Sequence, residues 1–498
     1  MQRRKRTAFI LALVICLGAM GGLPASAANS TTPATDNRDL TTDYSKGILD
    51  RAQVIKSAAE VTSQVYPNAD LVQVDDYTLC EYRPDGTGML WSDNYMKVLT
   101  EKGRREEQAM SFGFVLPYNT VAVKVLELIK ADGSVVPVDV AKQSKVMIDR
   151  GQMSANIYDP NSKVLQVGIP GVEIGDVVHL VMEQPTLRRY MPDTWDDYQV
   201  FESTGCMKHG VYEVRAPKDR PLYHTMLKDP VAGTVKYEKQ EREGQTIHRW
   251  EIREVPRYYA EPGMPPAYTV VQRLLVSTLP DWKAVSSWYW RLCQPHLEAT
   301  TPEMKAQVEK LTEGITDRQK KIEAIFKWVS QQVRYMGITT EGTSPGWEPH
   351  DVKMTFENRH GVCRDKAALL AAMLRLAGFE AYPVLIQAGP KKDGEVPNVQ
   401  FNHAITAVRN DNGSYQLMDC TDESTKDLLP SYLCDCSYLV AHPQGETLQT
   451  SPIVPQARGL DRPVRGGFGS GIGPDAWRTD PTHHPPRQAW QGLFLRPS

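Results

Sequence analysis

Three residues in the second half of the 498-residue sequence have the types and spacing of a thiol active site. Cys363 stands at the start of a predicted helix, His403 opens a predicted strand, and Asp419 ends the next one. The unpaired N–H groups of a helix's first turn carry partial positive charge, which stabilises a thiolate. A histidine oriented by a carboxylate can take the proton of that thiol. The three groups could therefore attack a carbonyl carbon through sulfur.

Each of these residues also has a structural interpretation when it is considered alone. A cysteine at a helix start can be a small apolar residue that packs against its neighbours. A histidine or an aspartate on a strand more often satisfies local hydrogen bonds than takes part in chemistry. The occurrence of all three in this order favours the functional interpretation, with Cys363, His403 and Asp419 as a catalytic triad.

The turn between the last two strands decides which carboxylate His403 meets. A hairpin centred on Asp411 sets His403 opposite Asp419, where cross-strand Cβ atoms are ~4.5–5.5 Å apart. A tight turn at Asn412-Gly413 would set His403 opposite Asp422 instead. The spacing leaves both registers open, because a bulge would also change the parity of the pairing.

Apolar residues at helical spacing predict the elements that must hold these groups. The second of three helices begins at Thr316, and the third begins near Cys363 and ends at Gly378, which suits the residue after a helix. Strands 381–387, 403–408 and 415–419 follow, which is an α+β order. The apolar positions of the three helices are Trp282, Val285, Tyr289 and Leu292; Ile322, Ile325, Phe326, Val329 and Val333; and Ala367, Leu370, Met373, Leu374 and Ala377.

The stretch 60–280 is rich in short strand signals separated by Gly, Pro and Asp turns. Segments 121–129 and 135–138 flank Asp132-Gly133, which is a strong hairpin signal. This pattern predicts an all-β, sandwich-like N-terminal domain.

The two ends of the sequence differ from the rest. A basic run at residues 3–6, an apolar run at 8–20 and Ala25-Ser26-Ala27 predict a signal peptide over 1–27. The alternative is an uncleaved anchor, but the apolar run is shorter than the ~20 residues of a membrane span. We expect a flexible leader over 28–59 and a disordered Gly/Pro/Arg-rich tail over 457–498. The protein is thus expected to be exported, periplasmic or extracellular, with no membrane span after cleavage.

Composition excludes some classes of partner. With 57 Lys and Arg against 60 Asp and Glu, the net charge is −3, and no basic tract with interleaved aromatics follows residue 30, so nucleic-acid binding is not expected. Removal of Cys16 leaves seven of eight cysteines, and this odd number leaves at least one thiol outside any disulfide. Cys434 and Cys436 have no partner pair at zinc spacing, so we expect no metal site and no cofactor.

The stretch from about 300 to 455 resembles the transglutaminase-like superfamily. The motifs that carry this resemblance are Gly361-Val362-Cys363, Phe401-Asn402-His403-Ala404 and Asp419-Cys420-Thr421. The stretch 60–280 resembles the β-rich domain of unknown function that often precedes this core in exported bacterial proteins. The resemblance implies a papain-like core over 281–456 and favours the register with Asp419.

Two residues beside Cys363 depart from the usual family motif, and neither belongs to the triad. Relatives usually carry Gly-Asp-Cys-Lys-Asp-Lys, whereas Val362 and Arg364 stand here. The run from Arg364 to Lys366 could be a charged cluster that faces substrate, although a solvated first turn with a structural ion pair is more common. Trp347 and Gln332 are candidate oxyanion donors beside the backbone N–H of Cys363, and each also has a structural interpretation.

The expected activity is acyl transfer through a thioester on peptide or carboxamide carbonyls. Peptidase or amidase activity and protein cross-linking use the same groups, and the partner is a protein or peptide substrate in the cell envelope. The alternative is a non-catalytic envelope binding or scaffold protein that uses its β-rich domain. The sequence names neither the substrate nor the acyl acceptor.

Overall fold

The structure is a computed structural model that describes residues 43–242, 244–338, 346–425 and 427–453. The predicted signal peptide, residues 28–42 of the predicted leader and the predicted tail lie outside the described residues. Within the described part, runs of β-branched and aromatic residues form strands. Segments whose apolar residues recur at the helical period form helices.

The first half contains three short helices and most of the strands of the described residues. The helices are α1 (Arg51–Ala59), α2 (Glu101–Glu106) and α3 (Val140–Gln143). The strands are β1 (Leu71–Tyr82), β2 (Gly88–Val98), β3 (Ala109–Val115), β4 (Ala122–Ile129), β5 (Val135–Pro137), β6 (Ser144–Ile148), β7 (Ile157–Tyr158), β8 (Ser162–Gly168), β9 (Val177–Thr186), β10 (Asp196–Val200), β11 (Cys206–Pro217), β12 (His224–Lys228), β13 (Val235–Arg242), β14 (Gln245–Val255) and β15 (Arg273–Ser277).

One eight-stranded sheet, in the order β13-β14-β11-β1-β2-β9-β4-β5, organises this half. Two three-stranded sheets, β10-β15-β12 and β3-β8-β6, contribute to two apolar cores that they share with the large sheet. Tyr82 and Trp250 of the large sheet meet Leu274 in one core, and Leu180 meets Phe112 in the other. The strand-rich, sandwich-like prediction is confirmed, including the hairpin of β4 and β5.

The predicted flexible leader is wrong for residues 44–59. Asp50 caps α1 by accepting a hydrogen bond from the backbone N–H of Ala52, and Val54 and Ala58 of that helix are buried. The buried carboxylate of Asp93 accepts two further backbone N–H groups, from residues 48 and 49. These contacts order a segment whose polar composition suggested disorder.

The second half contains the remaining helices and strands. The helices are α4 (Trp282–Glu298), α5 (Pro302–Thr312), α6 (Arg318–Gln332), α7 (Val352–Asn358) and α8 (Cys363–Leu376). The strands are β16 (Arg334–Tyr335), β17 (Gly337–Ile338), β18 (His360–Gly361), β19 (Ala381–Ile386), β20 (His403–Arg409), β21 (Tyr415–Met418), β22 (Ser437–Val440) and β23 (Gln449–Thr450). The antiparallel sheet β21-β20-β19-β22-β23 packs against α8.

Helix α8 lies at the centre of this half. Leu369, Leu370 and Met373 have no exposed surface, and helices α4, α5, α6 and α7 pack around α8. The helix ends before Gly378, whose φ of +87° favours glycine, as predicted. The cap of the second predicted helix lies one residue later than expected, because Asp317 rather than Thr316 accepts the backbone N–H of Lys320.

Neither predicted register of the last hairpin is right. Thr406 pairs with Met418 and Arg409 pairs with Tyr415, and the N–H of Asn410 donates to Ser414 across the turn. The turn is therefore centred on Asn412, and the strand ends one residue before Asp419.

Within the part of the chain that the structure describes, no helix has the length and apolar character needed to cross a membrane. None of the seven cysteines of these residues forms a disulfide.

Candidate active site

Cys363 is the first residue of α8 and is fully buried. The preceding residue, Val362, has an extended backbone and donates its N–H to Asp365 Oδ2 at 3.0 Å. A carboxylate at this helix position satisfies one of the donors that a helix start leaves unpaired. The sulfur thus lies where the positive end of a buried helix stabilises negative charge.

His403 opens β20 and is brought against Cys363 by the packing of β20 on α8. The imidazole is 8% exposed and hydrogen-bonds with the Cys363 side chain. Its Nε2 atom lies 3.0 Å from Asp419 Oδ2. Each ring nitrogen can therefore serve a different partner, as proton exchange between a thiol and an imidazole requires.

The carboxylate of Asp419 is fully buried and accepts four hydrogen bonds. Oδ2 faces His403 and accepts the hydroxyl of Tyr432 at 2.6 Å. Oδ1 accepts the backbone N–H of Thr421 at 2.9 Å and its hydroxyl at 2.7 Å. Asp422, the alternative partner of His403, instead bonds Ser424 in an exposed turn.

Burial alone would keep both members of the His403–Asp419 pair neutral, but their contacts outweigh it. Burial opposes protonation of His403, while the charge and hydrogen bond of Asp419 and the hydrogen bond with Cys363 raise the pKa of His403 to about 10. Burial also opposes ionisation of Asp419, while His403, Tyr432 and Thr421 lower its pKa to about 2. At neutral pH the pair is an imidazolium and a carboxylate.

Tyr335 lies against Cys363 from the other side. It is the second residue of β16, which pairs in parallel with β18, the strand that leads into Cys363. The Tyr335 hydroxyl hydrogen-bonds with the Cys363 side chain and with its backbone N–H group. Burial, together with the negative charge near Cys363, raises the pKa of Tyr335, so the hydroxyl keeps its proton and can donate it to an anion.

The two oxyanion candidates from the sequence occupy different surroundings. Gln332 is the last residue of α6 and is exposed. Trp347 is buried in the apolar core around α8.

The charged run after Cys363 is not the solvated turn that its composition suggested. Lys366 has no exposed surface, and its ammonium donates to the carbonyls of Ser330 at 3.2 Å and Val333 at 2.5 Å, at the negative end of α6. Asp365 is also buried and accepts the N–H and Nδ1 of His350 in addition to the N–H of Val362. These residues lock the start of α8 to its neighbours.

Comparison with family models gives two matches along the chain. Residues 84–259 match the DUF3857 family, a domain of unknown function with a solved structure. Residues 305–420 match the transglutaminase-like superfamily and include Cys363, His403 and Asp419. The second half of the chain holds a transglutaminase-like core. The predicted resemblance is confirmed in both parts and in their order. No curated protein matches the sequence.

Solved structures share the fold at low sequence identity. A crystal structure from Parabacteroides distasonis, described as a "putative protease", is 16% identical, with a TM-score of 0.58. That match covers 77% of this chain and 72% of the other. A "putative cysteine protease" from Cytophaga hutchinsonii is 16% identical, covers 46% of this chain and 78% of the other, and has a TM-score of 0.20. At such identities the first likeness concerns the fold alone.

Tyr335 and Tyr432 were missed by the sequence analysis of the transglutaminase-like core. Tyr335 precedes Cys363 on a separate strand, and Tyr432 follows Asp419 in a short 3₁₀ turn. Single tyrosines carry no periodic signal, so only the fold brings them to the site. Thr421 did carry a signal, because it belongs to the family motif, and its role is to bond Asp419.

The described residues contain no group of three or more His, Cys, Asp or Glu side chains that could hold a metal ion.

We predict that Asp419→Asn destabilises the protein most between pH 3.8 and 6.5, by about 3 kcal/mol, the lower end for breaking a buried pair. The His403 pKa is raised from 6.5, so its contribution to stability is complete below pH 6.5 and is lost as pH rises toward 10. The Asp419 pKa is lowered from 3.8, so its contribution is complete above pH 3.8 and is lost as pH falls toward 2.

Urea unfolding of both proteins from pH 3 to pH 10 measures this difference. Asp422→Asn is the matched control, because the side chain of Asp422 lies in an exposed turn, and it should have a small effect at every pH. If Asp419→Asn lowers the free energy of unfolding by the same amount at pH 5 and at pH 10, His403 and Asp419 do not form a charged pair.

Proposed function

We propose that this protein is a thiol-dependent acyl-transfer enzyme that uses Cys363, His403 and Asp419 as a catalytic triad on peptide or carboxamide carbonyls. The observation that carries the proposal is the buried contact of 3.0 Å between His403 Nε2 and Asp419 Oδ2, with the same imidazole against a cysteine at a helix start. A structural imidazole would not need both a nucleophile and a fully bonded carboxylate as partners.

The first step follows from the charges of these groups. The thiolate of Cys363 attacks the carbonyl carbon, and the electron pair of the C=O bond moves to oxygen. We assign the backbone N–H of Cys363 and the hydroxyl of Tyr335, which contacts Cys363, as the donors to this oxyanion. When the tetrahedral intermediate collapses, the C–N bond breaks, protonated His403 gives its proton to the leaving amine, and a thioester remains on Cys363.

The second step releases the acyl group. Neutral His403 takes a proton from water or from a second amine, which attacks the thioester and frees the thiolate of Cys363. We favour water as the acceptor, which makes the enzyme a peptidase or amidase, in keeping with the description of the Parabacteroides distasonis protein as a "putative protease". Because Cys363 has no exposed surface in this conformation, side chains over it must move to admit a substrate.

We also propose that the protein is exported and acts on envelope proteins or peptides. This proposal rests on the basic and apolar runs and the Ala25-Ser26-Ala27 site of the first 27 residues.

Cys363 should be the most reactive cysteine at acidic pH. The thiolate fraction of an ordinary thiol with a pKa of ~8.5 falls about 100-fold between pH 8.5 and pH 6, whereas a thiolate paired with an imidazolium persists. Cys434, which is partly exposed, is an internal reference for access. The ratio of iodoacetamide labelling at Cys363 to that at Cys434, measured by peptide mass spectrometry, should rise as pH falls. A Cys363-to-Cys434 labelling ratio that falls as pH is lowered would contradict the assignment of Cys363 as the nucleophile.

We expect Asp419→Asn to lower turnover of p-nitrophenyl acetate by about 10²–10³, less than the ~10⁴ of a serine triad, because cysteine–histidine pairs tolerate an amide partner. The amide permits the wrong imidazole tautomer and does not stabilise the imidazolium. Asp422→Asn, which changes an exposed turn, should leave turnover within about twofold of the unmodified protein. A crippled Asp422→Asn with an unchanged melting temperature would contradict the assignment of Asp419.

A further inference from the structure

We propose that the cleft beside Cys363 is a subsite that binds a large apolar side chain of the peptide substrate, with one wall supplied by the β-rich half. This inference rests on the proposed thiol chemistry and adds the substrate class. It concerns the cavity lined by Val362 and Arg364, the two residues that flank Cys363, and by Ile157 of strand β7.

Part of the lining of this cleft is apolar, and the cleft is partly open to solvent. Ile157, Met336, Ile338, Met354 and Val362 all line it. Ile338 is 58% exposed and Met354 is 44% exposed, although both are large hydrophobic residues. Exposed apolar side chains that gather at the mouth of a cavity mark a binding surface more often than single exposed residues do.

The size of the cleft suits a side chain rather than a single water molecule. The cavity volume is about 160 Å³. An apolar protein cavity of ~150 Å³ holds benzene, so a leucine or phenylalanine side chain fits. The cavity lies next to the nucleophile, since Val362 and Arg364 line it and Ile157 packs against the apolar cluster that contains Val362 and Cys363.

Asp159, Arg364 and Asp365, the Asp and Arg residues of the cleft, each make at least one hydrogen bond to a protein group. Asp365 accepts three hydrogen bonds, two of them from His350. Arg364 Nη1 donates to the carbonyl of Gly346 at 2.5 Å, while its buried Nε has no hydrogen-bond partner among the described residues. Asp159 Oδ1 accepts the backbone and side-chain N–H groups of Asn161. A charged ligand would have to compete with these bonds, whereas an apolar side chain would not.

The wall from the β-rich half is held firmly to the core. Strand β7 pairs in parallel with β17, so that Ile157 stands beside Gly337. Asn156 donates its side-chain amide to the carbonyl of Tyr335 at 2.8 Å and accepts the N–H of Gly337 at 3.1 Å. A Cβ on Gly337 would lie 2.5 Å from a Val362 methyl carbon, so only glycine permits this close approach.

Peptide chloromethyl ketones of the form acetyl-Ala-Ala-X test the subsite, because the thiolate displaces chloride and leaves a stable thioether. We expect the reagents with Leu or Phe as X to alkylate Cys363 at least about tenfold faster than those with Gly, Lys or Glu. Ile338→Ala and Met354→Ala should each lower the Leu-to-Gly rate ratio several-fold. Val146→Ala is the matched control, since Val146 is 55% exposed on β6 and does not line the cleft, and should keep the ratio.

The outcomes separate this inference from the proposed function. If iodoacetamide modifies Cys363 but all five peptides react at one rate, the subsite is wrong and the thiol chemistry stands. A preference for Lys or for Glu would also overturn the apolar subsite, in favour of Asp159 or Arg364 as the recognising group. If Cys363 reacts with neither reagent type, the proposed function fails and the inference fails with it.

Discussion

The hydrogen bonding of one buried carboxylate organises the second half of this protein. A fully buried Asp419 is tolerated only because four donors from His403, Thr421 and Tyr432 replace the water that it lost. The same bonds fix the position and charge of His403. Strand β20, the turn after β21 and the 3₁₀ turn that carries Tyr432 must therefore all be in place to hold the imidazole beside Cys363.

The second constraint is the fixed position of helix α8. Its first turn is held by Asp365 and by Lys366, whose ammonium binds carbonyls at the end of α6. The strand segment from Arg334 to Ile338 links this platform to the rest of the molecule, because it pairs with β18 on one side and with β7 on the other. The β-rich half is thus in direct contact with the environment of Cys363.

Much of this arrangement was predictable from local patterns. The 3.6-residue period of apolar positions fixed α8 to within two residues, and the strands that carry His403 and lead to Asp419 were recognised from β-branched runs between turn residues. The order of cysteine, histidine and aspartate, together with the family motifs, pointed to the residues that the fold brings together.

The parts that could not be predicted depend on contacts between distant segments. The hairpin register was missed because Asn412 bonds the N–H of Ser414 and centres the turn on itself, which spacing alone cannot reveal. If the pairing of Thr406 with Met418 is continued by three more pairs, His403 lies opposite Thr421. Asp419, two residues before Thr421, then lies on the same face of the sheet. Tyr335 reaches Cys363 only through strand pairing, and α1 is ordered by packing on a sheet that begins later in the chain.

The central claim is that Asp419 keeps His403 protonated beside Cys363 at neutral pH, and nitrogen-15 NMR of the histidine side chains tests it most directly. In the wild-type protein at pH 7 to 8, both ring nitrogens of His403 should carry protons, because the pKa of His403 is raised to about 10. The resonance, assigned by its absence in His403→Gln, should change to that of a neutral ring in Asp419→Asn. A neutral His403 ring in the folded wild-type protein at pH 7 would contradict the account.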